Sequence, residues 1–361
     1  MKFCNTSRQS LRRSSNFELL RVVAMLMIVL HHYCVNSGLI ELIEPKSLTG
    51  NMLFIQFMSI GGKVGVNIFF IISGYFMINS KFKWRKVGRL FFQILSVNLL
   101  VFLFLMALGY RYGFRQYLTI VPLIFSVPTS FIASYVVIYI LTPVINKALN
   151  AFEKKDFQYL LLVLLVFFSV MPTLLKQETW HYVGWGFTMY VLGAYIHKFD
   201  LKAKELPFGW LSLGMIFLTW CEILLFDYMS AKHGLRYDFW TFAIADANKL
   251  NIFFLSLSIF MFFAKLQLPY IKPINAIGGS VAFGVLLWHA NNSVLRQWLW
   301  FDFLKNTEYL NHDYLWLHCL VSVILIYGVC TLLEIVRQKV LDKPLFEGKQ
   351  RRMKNFTPKA T

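Results

Sequence analysis

The chain has 361 residues, 57% of them hydrophobic and only 15% charged, with 36 Phe and 10 Trp. That composition leaves too little polar surface to cover a soluble core, and repeated apolar runs of about 18 or more residues point to a polytopic helical membrane protein. The formal charge of +18 would suit nucleic acid if the basic residues formed one patch, but they collect in short segments between apolar runs, so no nucleic-acid partner is expected. Five cysteines without paired spacing, and the lack of a Walker loop, an HExxH or a paired CxxC motif, argue against a disulfide framework or a metal site.

The first apolar run covers 17–37. Arg8, Arg12 and Arg13 ahead of it mimic a signal peptide, but Glu18, Arg21 and two histidines interrupt the apolar region and no A-x-A site follows. We read it as an uncleaved membrane helix. Between Leu19 and Leu30 every residue except Arg21 is apolar. Arg21 and His32 are eleven residues apart, so on a helix they project from one face, about 16 Å apart along the axis. Glu18 falls within roughly 60° of the same stripe, and His31 lies about 100° off it. Ionisable groups inside a membrane helix are costly unless they face a partner or a wet cavity. A titratable imidazole there is a candidate proton acceptor near neutral pH, and the stripe favours His32 over His31.

The second run, 62–79, carries Gly61, Gly62 and Gly65 at its start and a Ser73-Gly74 step within it. Such small residues commonly serve close helix packing, and Ser73 is a candidate polar contact for substrate. The basic loop that follows holds Lys81, Lys83, Arg85, Lys86 and Arg89. It is either an orientation signal or a site for the phosphates of an anionic donor, because arginine forks match phosphate oxygens.

Further runs are expected at about 89–109, 131–149, 157–175, 181–198, 208–227, 245–265, 278–299 and 315–337. The segment 114–127 is short and bracketed by Pro122 and Pro128, which suggests an interfacial or re-entrant piece. In the ninth run His289 and Arg296 are seven apart, almost on one face, with Asn292 between them. They form either a satisfied polar stripe inside the bundle or part of the lining of the cavity that holds His32.

With the N terminus inside, 25 of the 36 Lys and Arg fall in alternate inner segments and eight in outer ones. This bias supports about ten transmembrane helices with both termini in the cytoplasm. The expected fold is an all-α polytopic bundle over 17–337, flanked by basic cytoplasmic segments at 1–16 and 338–361. No internal repeat is visible.

Asn16-Phe17-Glu18-Leu19-Leu20-Arg21 with His32 resembles the opening of the membrane acyltransferase-3 family, whose first helix carries Arg, ten residues, then His. Gly65 to Tyr75 is similar to that family's second-helix signature. Tyr135 to Pro143, Tyr190 to Tyr195 and Ser280 to His289 resemble later family segments, so the likeness spans about 16 to 335. The resemblance implies transfer of an acyl group, usually acetyl from acetyl-CoA, onto a hydroxyl of a cell-envelope polysaccharide or lipid-linked sugar, at the cell membrane. It implies no bound cofactor, with acyl-CoA as co-substrate. By position, His32 would be the catalytic base, Arg21 its helper with Glu18 beside it, and Arg85 and Arg89 with Lys86 the donor-contacting basic residues. His289, Asn292 and Arg296 are the further candidates for substrate contact. This sequence departs from the family in having Glu18 where many members carry Asp. It also spaces its loop arginines more widely, as Arg85-Lys86-Val87-Gly88-Arg89. The competing expectation is a transporter or flippase for a lipid-linked sugar, with the intramembrane charges forming its path.

Overall fold

The computed structural model describes residues 14–111, 113, 131–175, 181–199, 205–234 and 246–347. The expected re-entrant piece at 114–127, and most of the two terminal basic segments, lie outside the described residues. Among the described residues all regular structure is helical and no strand occurs.

Helix α1 (Ser15–Val35) is built mainly from Leu, Ile, Val and Met, interrupted by Glu18, Arg21 and the two histidines, and ends where Asn36 leads into Gly38, whose φ is +79°. Next comes α2 (Gly50–Ser59), opened by Thr49, whose side chain accepts from the Met52 amide at 3.3 Å. After one intervening residue α3 (Gly61–Met77) follows, so the pair forms a 28-residue apolar span. The second run therefore starts earlier than its sequence boundary of 62, because Met52 to Ile60 is apolar except at Gln56 and Ser59. Then come α4 (Trp84–Ala107), α5 (Phe131–Ala151), α6 (Lys154–Leu174, with a π-helical stretch at 166–170), α7 (Tyr182–Lys198), α8 (Phe208–His233) and α9 (Leu250–Lys265).

The ninth run is broken. A short α10 (Lys272–Ala276) widens into a π-helical stretch, bends by 49° into α11 (Ala282–Ala290), and stops; α12 (Ser293–Gln297) starts afresh. The last helix, α13 (Leu315–Arg337), continues as a π-helical stretch to Glu347. Among the described residues seven helices are long and apolar enough to cross a membrane, eight if the bent pair counts as one span. Helices α7 and α9, at 17 and 16 residues, are shorter than those seven.

Helix α3 lies between α1 and α7 and sets the centre of the bundle. The approach is close enough that a Cβ on Gly74 would overlap the Tyr190 carbonyl, and one on Gly193 would overlap that of Ile71. Backbone on backbone leaves no side chain to give way, so these two glycines are required by contact. Gly74→Val is expected to cost at least about 1–3 kcal/mol and to broaden or abolish the monodisperse peak on size exclusion in detergent. Gly214→Val is the control, since a Cβ there meets nothing within 4 Å, and it should elute as the unmodified protein does.

Around this centre α1 also touches α9, α10, α11 and α13. Almost every late element thus meets the helix that carries Arg21 and His32.

Candidate active site

Two polar levels lie along α1, separated by the eleven residues between Arg21 and His32, about 16 Å of helix. At the first level Arg21 donates to Glu18 at 2.6 Å, with the Glu18 side chain only 5% exposed and that of Arg21 22% exposed. The Arg21 guanidinium also lies 5.7 Å from the centre of the Phe76 ring. Gly278 on the bend before α11 packs directly on the Glu18 backbone, with no room for a Cβ.

Arg21 lines a cavity of about 350 Å³ together with Ser73, Arg89, Gln93, Tyr135 and Asp342. Ser73 donates its hydroxyl to the Phe69 carbonyl at 2.7 Å, which leaves its oxygen lone pairs to the cavity. The three loop cations singled out from sequence are all exposed, but Arg89 lines this cavity and Arg85 and Lys86 do not. Arg89 sits one helical turn further along α4 than Arg85; its side chain remains 44% exposed, and its bond to Asp342 holds it against the cavity wall.

Behind the cavity is a buried ionic cluster that sequence reasoning missed. Arg337 forks onto Glu334 at 2.9 and 2.8 Å and onto Asp342 at 2.7 and 3.2 Å. Arg89 adds a bond to Asp342 at 3.2 Å. Glu334 is fully buried and also accepts from Gln93, Gln338 and Trp288. The cluster ties α4, α11 and α13 together and fixes Arg89 against the cavity. Its signal was available: Glu334 is an acid inside an apolar run, three residues before Arg337 at the end of that run.

At the second level His32 is half-buried, and its Nδ1 lies 3.0 Å from His289 Nε2. Among the described residues no hydrogen bond engages His32 Nε2. The neighbouring His31 is buried, its Nδ1 bonded to the Ser59 carbonyl at 2.6 Å and its ring pressed on Gly62. That ring is part of the α1–α3 packing, so the geometry separates the two histidines as the helical stripe did.

The other expected contacts take different roles. His289 is 0% exposed and its Nδ1 bonds to the Val285 carbonyl at 2.6 Å, so both ring nitrogens are occupied by protein. Asn292 is no part of a continuous helical face. Its backbone is extended (φ −109°, ψ 130°) and its side chain caps α12, accepting from the amides of Val294 at 2.8 Å and Leu295 at 3.0 Å. Arg296 turns back and donates to the Ala290 carbonyl at 3.3 Å, one of the orphan groups at the end of α11. The continuous helical face expected from the seven-residue spacing is interrupted, because an asparagine cap outcompetes helix continuation. Arg296 nevertheless remains close enough to His289 and His32 to act on both electrostatically. The packing of α11 on α1 sets His289 against His32.

The sequence profile described as an acyltransferase domain, that of the acyltransferase-3 family, matches residues 14–335. The chain belongs to the acyltransferase-3 family. No curated protein and no solved structure matches it significantly. The match takes in both polar levels of α1 and nearly all of the described bundle. Within the matched residues lie Arg21 and Arg89 of the polar cavity and the His32–His289 pair.

Proposed function

We propose that this membrane acyltransferase moves an acyl group, acetyl in the simplest case, from acyl-CoA to a hydroxyl of a cell-envelope polysaccharide or lipid-linked sugar. His32 is the general base. The observation that carries the reading is a half-buried imidazole with one free nitrogen, on the same helix face as an arginine that lines a polar cavity.

Arg21 and Arg89 suit the donor's phosphates, since guanidinium groups bind phosphate oxygens by paired charge-assisted bonds. The cavity of about 350 Å³ takes part of the donor. The pantetheine arm, some five residue-lengths of chain, reaches on the order of 15–18 Å when extended. That matches the helical rise of about 16 Å from Arg21 to His32, so phosphates at the first level bring the thioester to the second.

There His32 Nε2 takes the proton from the acceptor hydroxyl as its oxygen attacks the thioester carbonyl. The tetrahedral oxyanion collapses, the C–S bond breaks, and the imidazolium returns its proton to the departing thiolate. Ester and free CoA leave. A transient acyl-imidazole would use the same nitrogen. The excess of basic residues in alternate segments supports a cytoplasmic donor side with both termini in the cytoplasm of a cell membrane.

Arg89→Gln should raise the KM for acyl-CoA by about tenfold or more, the scale of one lost charge-assisted hydrogen bond. Arg337 still partners Asp342 in that variant, so folding should hold. Arg85→Gln with Lys86→Gln should change KM less, and what change there is should shrink with added salt, as exposed charges do. Initial rates with radiolabelled acyl-CoA check both. A donor KM unchanged in Arg89→Gln would place the donor elsewhere.

A further inference from the structure

The contacts around His32 fix more than its position. Val285 offers a carbonyl, which can only accept, so the nitrogen 2.6 Å from it, His289 Nδ1, carries a hydrogen. A neutral imidazole has one N–H, which makes His289 Nε2 an acceptor. The 3.0 Å contact between that nitrogen and His32 Nδ1 then requires the hydrogen on His32. His32 Nε2 is left as a bare lone pair.

The opposite arrangement would need a doubly protonated His289. Its ring is fully buried, and among the described residues no carboxylate bonds to either histidine. An uncompensated cation there is strongly disfavoured. The chain of donors is also held rigidly at its far end. Val285 is four residues before His289 on α11, and the helix ends just beyond His289, pinned by the Asn292 cap and by Arg296 on the Ala290 carbonyl.

We propose that His289 is a positioning residue that locks His32 in the tautomer whose Nε2 can accept a proton. This rests on the reading of His32 as the base. The role parallels that of the carboxylate in a Ser-His-Asp triad, which holds its histidine in the working tautomer without itself gaining a proton. Here a neutral ring does the holding. When His32 takes the acceptor's proton at Nε2, its Nδ1–H still points at the His289 lone pair, which favours the imidazolium formed in the transition state. The proton then leaves Nε2 for the CoA sulfur, and the dyad returns to its starting tautomer with no net change.

The test pairs His289→Leu with His289→Gln in the full-length protein reconstituted in lipid. Leucine fills much of the site and accepts nothing. Glutamine restores both functions, its oxygen facing His32 and its amide facing Val285. The leucine variant should lose about 10²–10⁴-fold in kcat, the range seen when a catalytic histidine loses its partner or its role, with the KM for acyl-CoA unmoved. The glutamine variant should recover to within about tenfold of the unmodified rate. Equal losses in the two variants, or a loss confined to KM, would overturn the proposal.

His32→Ala run in parallel separates this failure from that of the base reading. An active His32→Ala sinks both, and an inactive His32→Ala beside an active His289→Leu sinks only the role of His289. A measurement on the unmodified protein stands even where the leucine variant does not fold. Solid-state ¹⁵N spectra of histidine-labelled protein in lipid should show His32 protonated on Nδ1 with Nε2 bare, and a hydrogen on His32 Nε2 would contradict the proposal directly.

Discussion

His32→Ala is expected to lower acyl transfer by about 10²–10⁴-fold, the usual cost of removing a general base, with expression and membrane insertion unchanged. His32 is half-buried, its side chain bonds to His289, and alanine keeps the backbone carbonyl that accepts the Asn36 amide, so its truncation removes chemistry before it removes structure. His31→Ala should behave in the opposite way. The His31 ring fills the gap over Gly62 and holds the Ser59 carbonyl, so its loss should lower the melting temperature while leaving the transfer rate of the folded fraction within a few-fold of the unmodified protein. Initial rates and thermal melts on both variants check this. A His32→Ala rate within a few-fold of the unmodified protein would remove the base assignment.

Glu334→Ala is expected to be the most damaging single change to stability in the described bundle, at about 3–5 kcal/mol, because removing one partner of a buried ion pair leaves the other charge uncompensated. Arg337 would keep Asp342, but Gln93, Gln338 and Trp288 would all lose their acceptor. Gly284, which has no room for a Cβ against this carboxylate, shows how tightly the cluster is built into α11. Glu334→Gln keeps the shape and several of the bonds and should cost less. Unfolding followed by a cysteine-accessibility or fluorescence melt ranks the two, and equal stability in Glu334→Ala and the unmodified protein would show the cluster to be neutral.

Much of this architecture is written into the apolar runs themselves. Their lengths decide where helices run, and the eleven-residue spacing of Arg21 and His32 survives because α1 is uninterrupted from Ser15 to Val35. The segment that matches the family profile likewise follows the runs closely. Local chemistry that competes with helix continuation was harder to read. Asn292 looked like one more polar position on a face, yet an asparagine side chain that satisfies two amides ends one helix and starts another. Glu334 and Arg337 lie at the end of the last apolar run, and nothing local signals that Asp342, Arg89 and Trp288 converge on them. Long-range pairing is invisible to spacing altogether. His32 and His289 stand 257 positions apart, and only the packing of α11 on α1 brings them together. The basic loop was legible as a cluster, while the distinction between Arg89 and its neighbours depends on which turn of α4 reaches the cavity.

Acyl transfer with His32 as the base is most directly tested by mass spectrometry of envelope glycans from cells producing either the unmodified protein or His32→Ala, fed with isotopically labelled acyl precursor. The account predicts a labelled ester on a glycan hydroxyl that requires the unmodified protein and is lost in the variant. Glycans that carry no such ester in either strain, while a lipid-linked sugar still crosses the membrane when the unmodified protein is present, would contradict it.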